Sequence, residues 1–323
     1  MSGYLWIRKW KILVTDANDN EALNVSDLRC VFSVRKAREQ ANYATISIYN
    51  LTADIERKII MEGSRIVIEA GYEGYLTTGN DKTISETASK QYGKIFDGKI
   101  IYPTRYRENN TDYVLTLLCV DGETPLNLNF ISKTVNRGLN QRQIIETACN
   151  DAISKISVGS ISEGLNGAKL PRGKVFFGQP QEYFSDVVRG NAATYWIEDD
   201  VLTVHKWTDP DESEAIQFTP KTGLVGMPQQ TQFGAKWTLL LNPNIHIKTK
   251  CQLAETDIVE RSAVPNQQQA PLDDDWIYQV TELVHRGDTR GNEWYTECTG
   301  VSRYGKGALP ALMANNATNP NGV

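Results

Sequence analysis

The hydrophobic pattern divides the chain into strand-rich ends and a middle with helical periodicity. Residues 1–120 contain six segments in which apolar and β-branched residues alternate with polar ones between turn formers, as is typical of half-buried strands. We predict strands at Lys11–Thr15, Arg29–Val34, Ala44–Tyr49, Arg65–Ala70, Lys94–Ile101 and Tyr113–Val120. One helix is expected at Ala53–Met61, because Thr52 is a good N-cap and Gly63 is a stop signal. These elements predict a small barrel or sandwich.

The middle of the chain changes to helical periodicity after Asp121. Asn140-Gln-Arg-Gln143 resembles a capping box, and apolar residues recur at helical spacing from there to Ile156. A second helix is predicted at Gln181–Arg189. Two alternating strands are expected on either side of Glu198-Asp-Asp200. These elements together predict an α+β module.

Strand patterns dominate again after Gly223. We predict strands at Lys236–Leu241, His246–Leu253, Trp276–His285 and Glu293–Arg303. The polar segments Thr77–Gln91 and Ser262–Asp275 are expected to be a loop insertion and a loop. The predicted fold class is therefore mainly β with an α+β middle module. The predicted domains are 1–121 (β), 122–219 (α+β) and 220–304 (β), followed by a flexible C-terminal tail at 305–323.

Composition excludes several classes of protein. The 323 residues are 40% hydrophobic and 23% charged, which is ordinary for a globular chain. No apolar run approaches the roughly 20 residues that span a bilayer, so no membrane anchor is expected. The first ten residues lack the features of a signal peptide and alternate like a strand. The net charge of −5 argues against tight, sequence-independent binding of nucleic acid, which needs a basic surface.

The five cysteines are scattered and form no C-x-x-C pair, which excludes the usual zinc and thioredoxin-like motifs. We expect them to be reduced, in a protein made in a cytosol. They are Cys30, Cys119, Cys149, Cys251 and Cys298.

The three histidines give little indication of catalysis. His205 and His246 each alternate with strand residues, so a structural position on a sheet is expected for both. His285 precedes a polar turn that contains Asp288, and this pair is the one candidate for acid–base chemistry. Because Gly287 and Gly291 are turn formers between two predicted strands, we favour a structural hairpin. We therefore predict no catalytic, cofactor-binding or metal-binding residues, and no cofactor.

Other polar motifs are also best explained by turns and loops. Three carboxylate clusters lie where Asp commonly bonds the backbone, and none has EF-hand spacing: Glu198–Asp200, Asp209–Glu212 and Asp273–Asp275. The triplet Arg286-Gly-Asp288 matches an integrin-binding tripeptide but carries almost no information. Gly164, Gly167 and Gly173 span a basic loop, Lys169–Lys174, whose spacing fits neither a P-loop nor a dinucleotide-binding turn.

One segment is more specific than the rest. Thr222-Gly-Leu-Val-Gly-Met-Pro228 leads through Gly234 to the apolar run Trp237–Leu241, which Asn242-Pro-Asn244 ends. This order resembles the hub proteins at the centre of phage tail baseplates, a family met in P2-like and Mu-like contractile phages. Five further segments resemble the same family in order and spacing: Ala44–Leu51, Val67–Tyr72, Ile95–Ile100, Leu117–Gly122 and Tyr278–Thr296.

The resemblance implies a structural protein of the virion. It implies two tube-protein-like β-barrels per chain, at 1–121 and 220–304, and a homotrimer whose six barrels form a pseudo-sixfold ring. Such a ring adapts a threefold spike to the sixfold tail tube and initiates tube assembly. The implied partners are the tail tube or initiator protein, the central spike, the tape-measure protein and the baseplate wedge proteins. Three chains carry three times −5, or −15, which suits passage of genomic DNA without specific binding.

Two other classes of function remain open from the residues. A tail-associated cell-wall hydrolase would need a carboxylate pair, a Cys–His pair or zinc histidines in a cleft, and the few strand-borne histidines speak against it. A carbohydrate- or protein-binding β module is the third possibility. The expected location is the tail baseplate of a virion, after synthesis in the bacterial host cytoplasm.

Overall fold

Strands predominate in the computed structural model, which describes residues 4–16, 22–75, 91–122, 126, 129–167, 169–207, 209, 213–231, 234–253, 260–261 and 276–302. The predicted insertion Thr77–Gln91, apart from its last residue, lies outside the described residues. So do the predicted loop Ser262–Asp275 and the predicted tail 305–323. Within the described ranges, no helix is long and apolar enough to cross a membrane.

The described residues form two compact units. Unit 1 contains those within Met1–Lys36, Tyr43–Val120 and Glu214–Lys306, and unit 2 contains those within Ala37–Asn42 and Asp121–Ser213. Both predicted β regions, 1–121 and 220–304, contribute strands to unit 1. The division into four domains stays a prediction.

Unit 1 is built on one 14-stranded sheet with one helix, α1 (Ala53–Glu62). The strands from the first region are β1 (Tyr4–Asp16), β2 (Ala22–Asn24), β3 (Cys30–Ala37), β4 (Asn42–Tyr49), β5 (Gly63–Tyr75), β6 (Gln91–Arg107) and β7 (Tyr113–Asp121).

Unit 2 separates the two sets of strands along the chain. It contains β8 (Ile131–Val135), α2 (Gln141–Asp151), β9 (Ser157–Ile161), a 3₁₀ helix (Glu163–Asn166), β10 (Lys174–Gly178), α3 (Pro180–Gly190), β11 (Ala193–Glu198) and β12 (Val201–Lys206). The second region of unit 1 then adds β13 (Ile216–Phe218), β14 (Leu224–Gln230), β15 (Gly234–Leu240), β16 (Lys250–Leu253), β17 (Glu260–Arg261), β18 (Ile277–Asp288) and β19 (Trp294–Ser302).

The large sheet follows one open path. Its order is β17-β14-β15-β19-β18-β3-β4-β7-β6-β5-β1-β2, with β16 paired to β18 and β13 to β16. Among the described strands, no pairing closes this path into a barrel. Alternation places one face of the sheet in the core: in β4, Ala44, Ile46 and Ile48 are buried while Thr45 is exposed. The sequence prediction of a mainly β fold is confirmed.

The predicted elements of the first region are confirmed. The six strands predicted within residues 1–120 correspond to β1, β3, β4, β5, β6 and β7. The helix predicted at Ala53–Met61 corresponds to α1. Alternating or apolar patterns identified these elements correctly because each strand has one face in the core.

Unit 2 confirms the predicted α+β elements. At the start of α2, the Asn140 side chain accepts a hydrogen bond from the Gln143 backbone and the Gln143 side chain accepts one from the Asn140 backbone. This capping box is the one predicted. Strands β11 and β12 form the predicted antiparallel hairpin, and β9 adds to β12 in parallel. Strands β8 and β10 form a separate two-stranded sheet.

Two predicted boundaries are wrong. The helical pattern predicted to run to Ile156 ends at Asp151, because the Asn129 side chain accepts the backbone N–H of Ser154 and directs the chain away. The strand predicted at His246–Leu253 begins only at Lys250. Its first residues form a turn, because Thr249 accepts the N–H of His246. The turn before it, in which Asn242 accepts the N–H of Asn244, is the one predicted at Asn242-Pro-Asn244.

Candidate assembly platform

The two β regions of unit 1 share one strand order. In the first region the neighbours are β3-β4-β7-β6-β5, and in the second they are β14-β15-β19-β18-β16. When only these five strands are numbered along the chain in each region, leaving out β1, β2, β13 and β17, both orders read 1-2-5-4-3. The pairs β3–β4, β5–β6 and β6–β7 are antiparallel, and so are the corresponding pairs β14–β15, β16–β18 and β18–β19. Unit 1 therefore contains the same five-stranded arrangement twice.

The repeat extends to the register of individual residues. In β6–β7, Ile100 pairs with Cys119 and Tyr102 with Leu118, so that Ile101 is a bulge. In β18–β19, Val280 pairs with Gly300 and Glu282 with Thr299, so that Thr281 is a bulge. Both hairpins continue for five further pairs, to Arg107↔Tyr113 and Gly287↔Trp294. Bulges of this kind set local twist and recur as fixed features of a fold.

The two five-stranded arrangements join through β3 and β18, which are neighbours in the sheet. Beside this pair, Arg29 donates hydrogen bonds to both carboxylate oxygens of Asp288, from Nη2 to Oδ2 at 2.8 Å and from Nε to Oδ1 at 3.3 Å. The hydrogen bond from Arg29 lowers the pKa of Asp288. The guanidinium also lies over the ring of Tyr49, 4.5 Å from its centroid.

Backbone contacts and a second arginine reinforce this junction. The backbone N–H of Cys30 donates to Thr289 Oγ1 at 2.9 Å, and the N–H of Thr289 donates to the Cys30 carbonyl at 3.0 Å. Arg8 of β1 donates to the carbonyls of Gly291 and Asn292 at 2.6 and 2.9 Å. The turn between β18 and β19 is thus held by residues from the first region.

Aromatic packing fills the core at the same place. Trp294 is fully buried, and its ring makes edge contacts with Phe32 and Trp10 at centroid distances of 5.5 and 5.9 Å. Gly287 of β18 lies against the end of the Phe32 ring, where an added Cβ would meet Phe32 Cζ first. The first and second regions of unit 1 therefore share one core as well as one sheet.

The candidate residues His285 and Asp288 have different hydrogen-bond partners in the structure. His285 is buried within β18 and its Nδ1 lies 2.8 Å from Thr296 Oγ1, whereas Asp288 binds Arg29. His205 is buried in β12 with Nδ1 3.2 Å from Ser162 Oγ. His246 is exposed in a turn rather than in the predicted strand. Within the described part of the chain, no group of three or more His, Cys, Asp or Glu residues could hold a metal ion.

The other described motifs lie in turns or strands and make contacts within the fold. Glu198–Asp200 forms the turn between β11 and β12, where the N–H groups of Asp199 and Asp200 donate to the Asp121 carboxylate. Of the cluster Asp209–Glu212 only Asp209 is described, and it accepts the N–H of Gly164; Asp273–Asp275 lies outside the described residues. The triplet Arg286–Asp288 belongs to strand β18.

All five cysteines are buried and free. Burial raises the pKa of the Cys30, Cys119 and Cys149 thiols to about 12, and it also raises those of Cys251 and Cys298. Thiols with pKa values so far above neutrality carry almost no thiolate and are poor nucleophiles.

The sequence matches no protein-family model and no curated protein. Solved structures are similar in fold. The 43 kDa tail protein of prophage MuSo2 from Shewanella oneidensis superposes with a TM-score of 0.58 at 8% identity, over 91% of this chain and 99% of that one. A tail protein from Neisseria meningitidis superposes with a TM-score of 0.56 at 9% sequence identity, over 91% of this chain and 96% of that one. An Escherichia coli component of the type VI secretion system superposes with a TM-score of 0.54 at 11% sequence identity, over 94% of this chain and 80% of that one. That protein is described as structurally similar to the T4 tail proteins gp27 and gp5.

The chain has the fold of phage tail proteins. The resemblance seen in the sequence is thereby confirmed at the level of the fold, and these proteins match across nearly the whole chain.

Within the tail-protein fold, the most specific sequence motif forms a turn and a bulge. Thr222 accepts the N–H of Thr219 at 2.7 Å and closes the turn before β14. Gly223 and Gly226 both have positive φ, at 108° and 70°, which explains glycine at these two positions. The pairing with β15 shifts register between Val225 and Gln229. The motif therefore shapes the start of β14, the first strand of the second arrangement.

The tail-protein fold leaves a tyrosine–threonine surface on the sheet face opposite the core. Tyr102, Tyr106, Tyr43 and Leu118 are 63, 44, 41 and 39% exposed. Ser47 and Thr116 bond each other across β4 and β7 on this face. Further along it, ion pairs join Arg35 to Glu282 at 2.6 Å and Arg286 to Glu297 at 3.3 Å. Large exposed aromatic side chains are typical of interaction surfaces.

Proposed function

We propose that the chain is the structural hub of a phage tail baseplate and acts as a homotrimer. The observation that carries the proposal is the repeated 1-2-5-4-3 strand order within one unit, with matching bulges. A hexameric tube presents one face six times, and a trimer can match it only if each chain presents that face twice. The two β regions supply such a pair.

The rigid junction supports an adaptor role in particular. Two repeats joined by a flexible linker could not hold a fixed spacing on a ring, whereas the shared sheet and the Arg29–Asp288 ion pair hold them as one body. We propose that each repeat serves as one tube-like barrel unit of a pseudo-sixfold ring. The ring adapts a threefold central spike to the sixfold tube and initiates its assembly.

The proposed partners follow from this position. They are the tail tube or initiator protein on one side, the central spike on the other, and the tape-measure and wedge proteins around them. Genomic DNA passes without specific binding, and three acidic chains are suited to that. The proposed location is the virion tail baseplate, after synthesis in the host cytoplasm.

Tube initiation provides the functional test. The purified chain, mixed with the tail tube protein of the same phage, is expected to remove the lag before tubes form and to remain at one tube end. A chain with Arg29→Ala and Asp288→Ala, which loosens the junction, is expected to initiate less well. Unchanged lag times with the wild-type chain would contradict the initiator role.

A hydrolytic role is tested separately. We propose that the chain is not an enzyme, because His205 and His285 lie beside Ser162 and Thr296 within the fold and Asp288 binds Arg29. Purified chain incubated with peptidoglycan is expected to release no soluble fragments. Release that is abolished by His285→Gln, in a variant with an unchanged circular dichroism spectrum, would favour the hydrolase instead.

A further inference from the structure

The two-stranded sheet of unit 2 has one side in the core and one side in solvent. Strands β8 and β10 pair antiparallel over five residue pairs. On one side Phe176 is buried, whereas on the other Val175 and Phe177 are 66 and 71% exposed. Their pairing partners on β8, Thr134 and Ser132, are exposed as well. We call this solvent side the ribbon face, and it consists of Ser132, Thr134, Val175 and Phe177.

The apolar surface continues past the ends of the two strands. The ring of Phe130 makes an edge contact with Phe177 at a centroid distance of 5.0 Å, and the N–H of Ile153 donates to the Phe130 carbonyl at 3.1 Å. Ile153 is 82% exposed. In the described part of the chain, the three most exposed large hydrophobic residues are therefore Ile153, Phe177 and Val175, all at one place. Contiguous apolar exposure of this kind marks an interaction surface.

Three cations lie at one end of the ribbon face. The segment after β8 and the segment before β10 are joined because the N–H of Gly138 donates to the Leu170 carbonyl at 2.9 Å and the N–H of Leu170 donates to the Leu139 carbonyl at 2.8 Å. This junction brings together three exposed residues, Arg137, Lys169 and Arg172. None of their side chains has an ion-pair partner within the ranges that the structure describes.

These cations belong to a basic region of an acidic chain. Residues 130–178 contain seven Lys and Arg residues but three Asp and Glu residues, a net charge of +4, whereas the whole chain has −5. Lys133, Lys174 and Arg142 have acidic ion-pair partners at 3.2, 3.5 and 2.9 Å. Except for Lys155, the other cations of this region therefore lie beyond the Val175 end of the ribbon face.

We propose that the ribbon face and these three cations form a docking site for an acidic segment of a partner protein. Large apolar side chains of the segment cover Phe177, Val175 and Ile153, and its carboxylates meet the cations at the other end. Arg172 and Phe177 are five positions apart in extended chain, or about 17 Å at roughly 3.3 Å per residue. The segment therefore carries its apolar and acidic residues about five positions apart.

The distribution of charge favours a protein over the two other anionic partners. Nucleic acid needs cations along its path to meet successive phosphates, and the ribbon face itself is uncharged. An anionic bilayer would meet the half-exposed Asp186 and the neighbouring Asp151 beside the ribbon, in a chain whose net charge is −5. A segment that is apolar at one end and acidic at the other matches the site at both ends.

A synthetic peptide tests the electrostatic half of the site on the purified full chain. The probe is a fluorescent peptide in which leucines alternate with serines and a run of aspartates follows, and its anisotropy reports binding. Saturable binding that weakens as salt is added is expected. Replacing the aspartates by asparagines should weaken it about tenfold.

Matched charge variants of the chain localise that binding. The variant with Arg137→Gln, Lys169→Gln and Arg172→Gln is expected to bind the peptide about tenfold more weakly. The control variant makes the same change of charge at exposed lysines of unit 1, through Lys11→Gln, Lys221→Gln and Lys236→Gln, and should bind like the wild type. Equal affinities of the two variants would overturn the docking site.

A second pair of variants tests the apolar half. Val175→Ser with Phe177→Ser should also weaken binding about tenfold, and because both side chains are mostly exposed the circular dichroism spectrum should not change. Met227→Ser, at an equally exposed position on β14, is the control and should have no effect. Wild-type affinity of the double variant would overturn the docking site.

Photochemical cross-linking identifies the occupant in purified tails. With p-benzoylphenylalanine placed at Phe177, irradiation is expected to attach a segment of another protein in which acidic residues follow or precede apolar ones at the stated spacing. A cross-link to a second copy of this chain, to DNA or to lipid would overturn the proposal, and so would the absence of any cross-link. This step rests on the proposed location in the tail, whereas the peptide titration does not, so the two can fail separately.

Discussion

Arg29 and Asp288 lie 259 positions apart in the chain and form a bidentate ion pair, with Nη2–Oδ2 and Nε–Oδ1 distances of 2.8 and 3.3 Å. One residue precedes the first strand of the first repeat, and the other ends the fourth strand of the second. The pair therefore marks the point at which the two similar arrangements join in one sheet. A fixed spacing between two tube-like units is what an adaptor ring requires.

Breaking this pair is expected to destabilise unit 1. Arg29→Ala should lower the free energy of unfolding by about 1 kcal/mol. The value is modest because the arginine is 44% exposed and the Asp288 carboxylate keeps the backbone N–H of Arg290 as a donor. Arg57→Ala, on the exposed face of α1, is the matched control and should change it by less than about 0.5 kcal/mol. Urea denaturation followed by tryptophan fluorescence measures both. Equal midpoints for the two variants would contradict the role given to Arg29.

The same pair predicts a pH dependence. Because the hydrogen bond from Arg29 lowers the pKa of Asp288, the stabilisation is fully present above the ordinary aspartate value of about 3.9 and is lost as pH falls through the lowered value. Asp288→Asn should flatten this loss below about pH 4. Urea denaturation midpoints of the wild type and of Asp288→Asn, measured across pH 2.5–6, test this prediction. Midpoints that fall in parallel for the two proteins as pH is lowered would contradict it.

The buried carboxyl group of Asp121 in unit 2 predicts a pH dependence of stability with the opposite sign. Asp121 is 5% exposed, and desolvation raises its pKa to about 6 although Asn42, Asp199 and Asp200 donate hydrogen bonds to it. Between about pH 4 and pH 6 the folded chain binds the extra proton, so the contribution of Asp121 to stability falls as pH rises through this window. It is fully lost above the folded pKa.

Asp121→Asn removes this titration but places an amide N–H₂ among backbone donors. The variant should be less stable at pH 5 by about 1–3 kcal/mol, and the deficit should shrink towards pH 7. Hydrogen exchange of the β11–β12 hairpin, measured at both pH values, localises the effect. A deficit that grows with pH would contradict the raised pKa.

Replacing the glycine at the junction, Gly287, by alanine is expected to cause a packing defect. A Cβ added at Gly287 would lie 2.3 Å from Cζ of Phe32, which is itself held against Trp294. Gly287→Ala should therefore cost about 1–3 kcal/mol of stability. Gly190→Ala, where a Cβ meets nothing within 4 Å, should be neutral or slightly stabilising. Thermal melting of the two variants distinguishes them, and a Gly287→Ala melting temperature at or above wild type would contradict the packing.

The local elements were predictable because their signals are local. Alternation in Ala44–Tyr49 reflects a strand with one buried face, and the capping box at Asn140 needs only three residues. The failures arose where side-chain contacts intervene: Asn129 ends α2 early, and Thr249 holds a turn where alternation predicted a strand.

The junction was not predictable from pattern alone. The sequence analysis identified the polar turn after His285 as distinctive. An alternating pattern does not indicate which strand a given strand pairs with, so the pairing of β18 with β3 could not be predicted. Arg8 and Arg29 were not identified, because a single arginine beside a strand is common. Only the contact itself distinguishes them.

The number of copies at the tail axis is the most direct test of the hub. Electron cryomicroscopy of the purified tail, reconstructed without imposed symmetry, should show three copies of the chain, about 109 kDa as three times 36.2 kDa. Each should place its two repeats at equal radius, so that six similar units surround the axis. Six copies of the chain, or repeats at clearly unequal radii, would contradict the adaptor account.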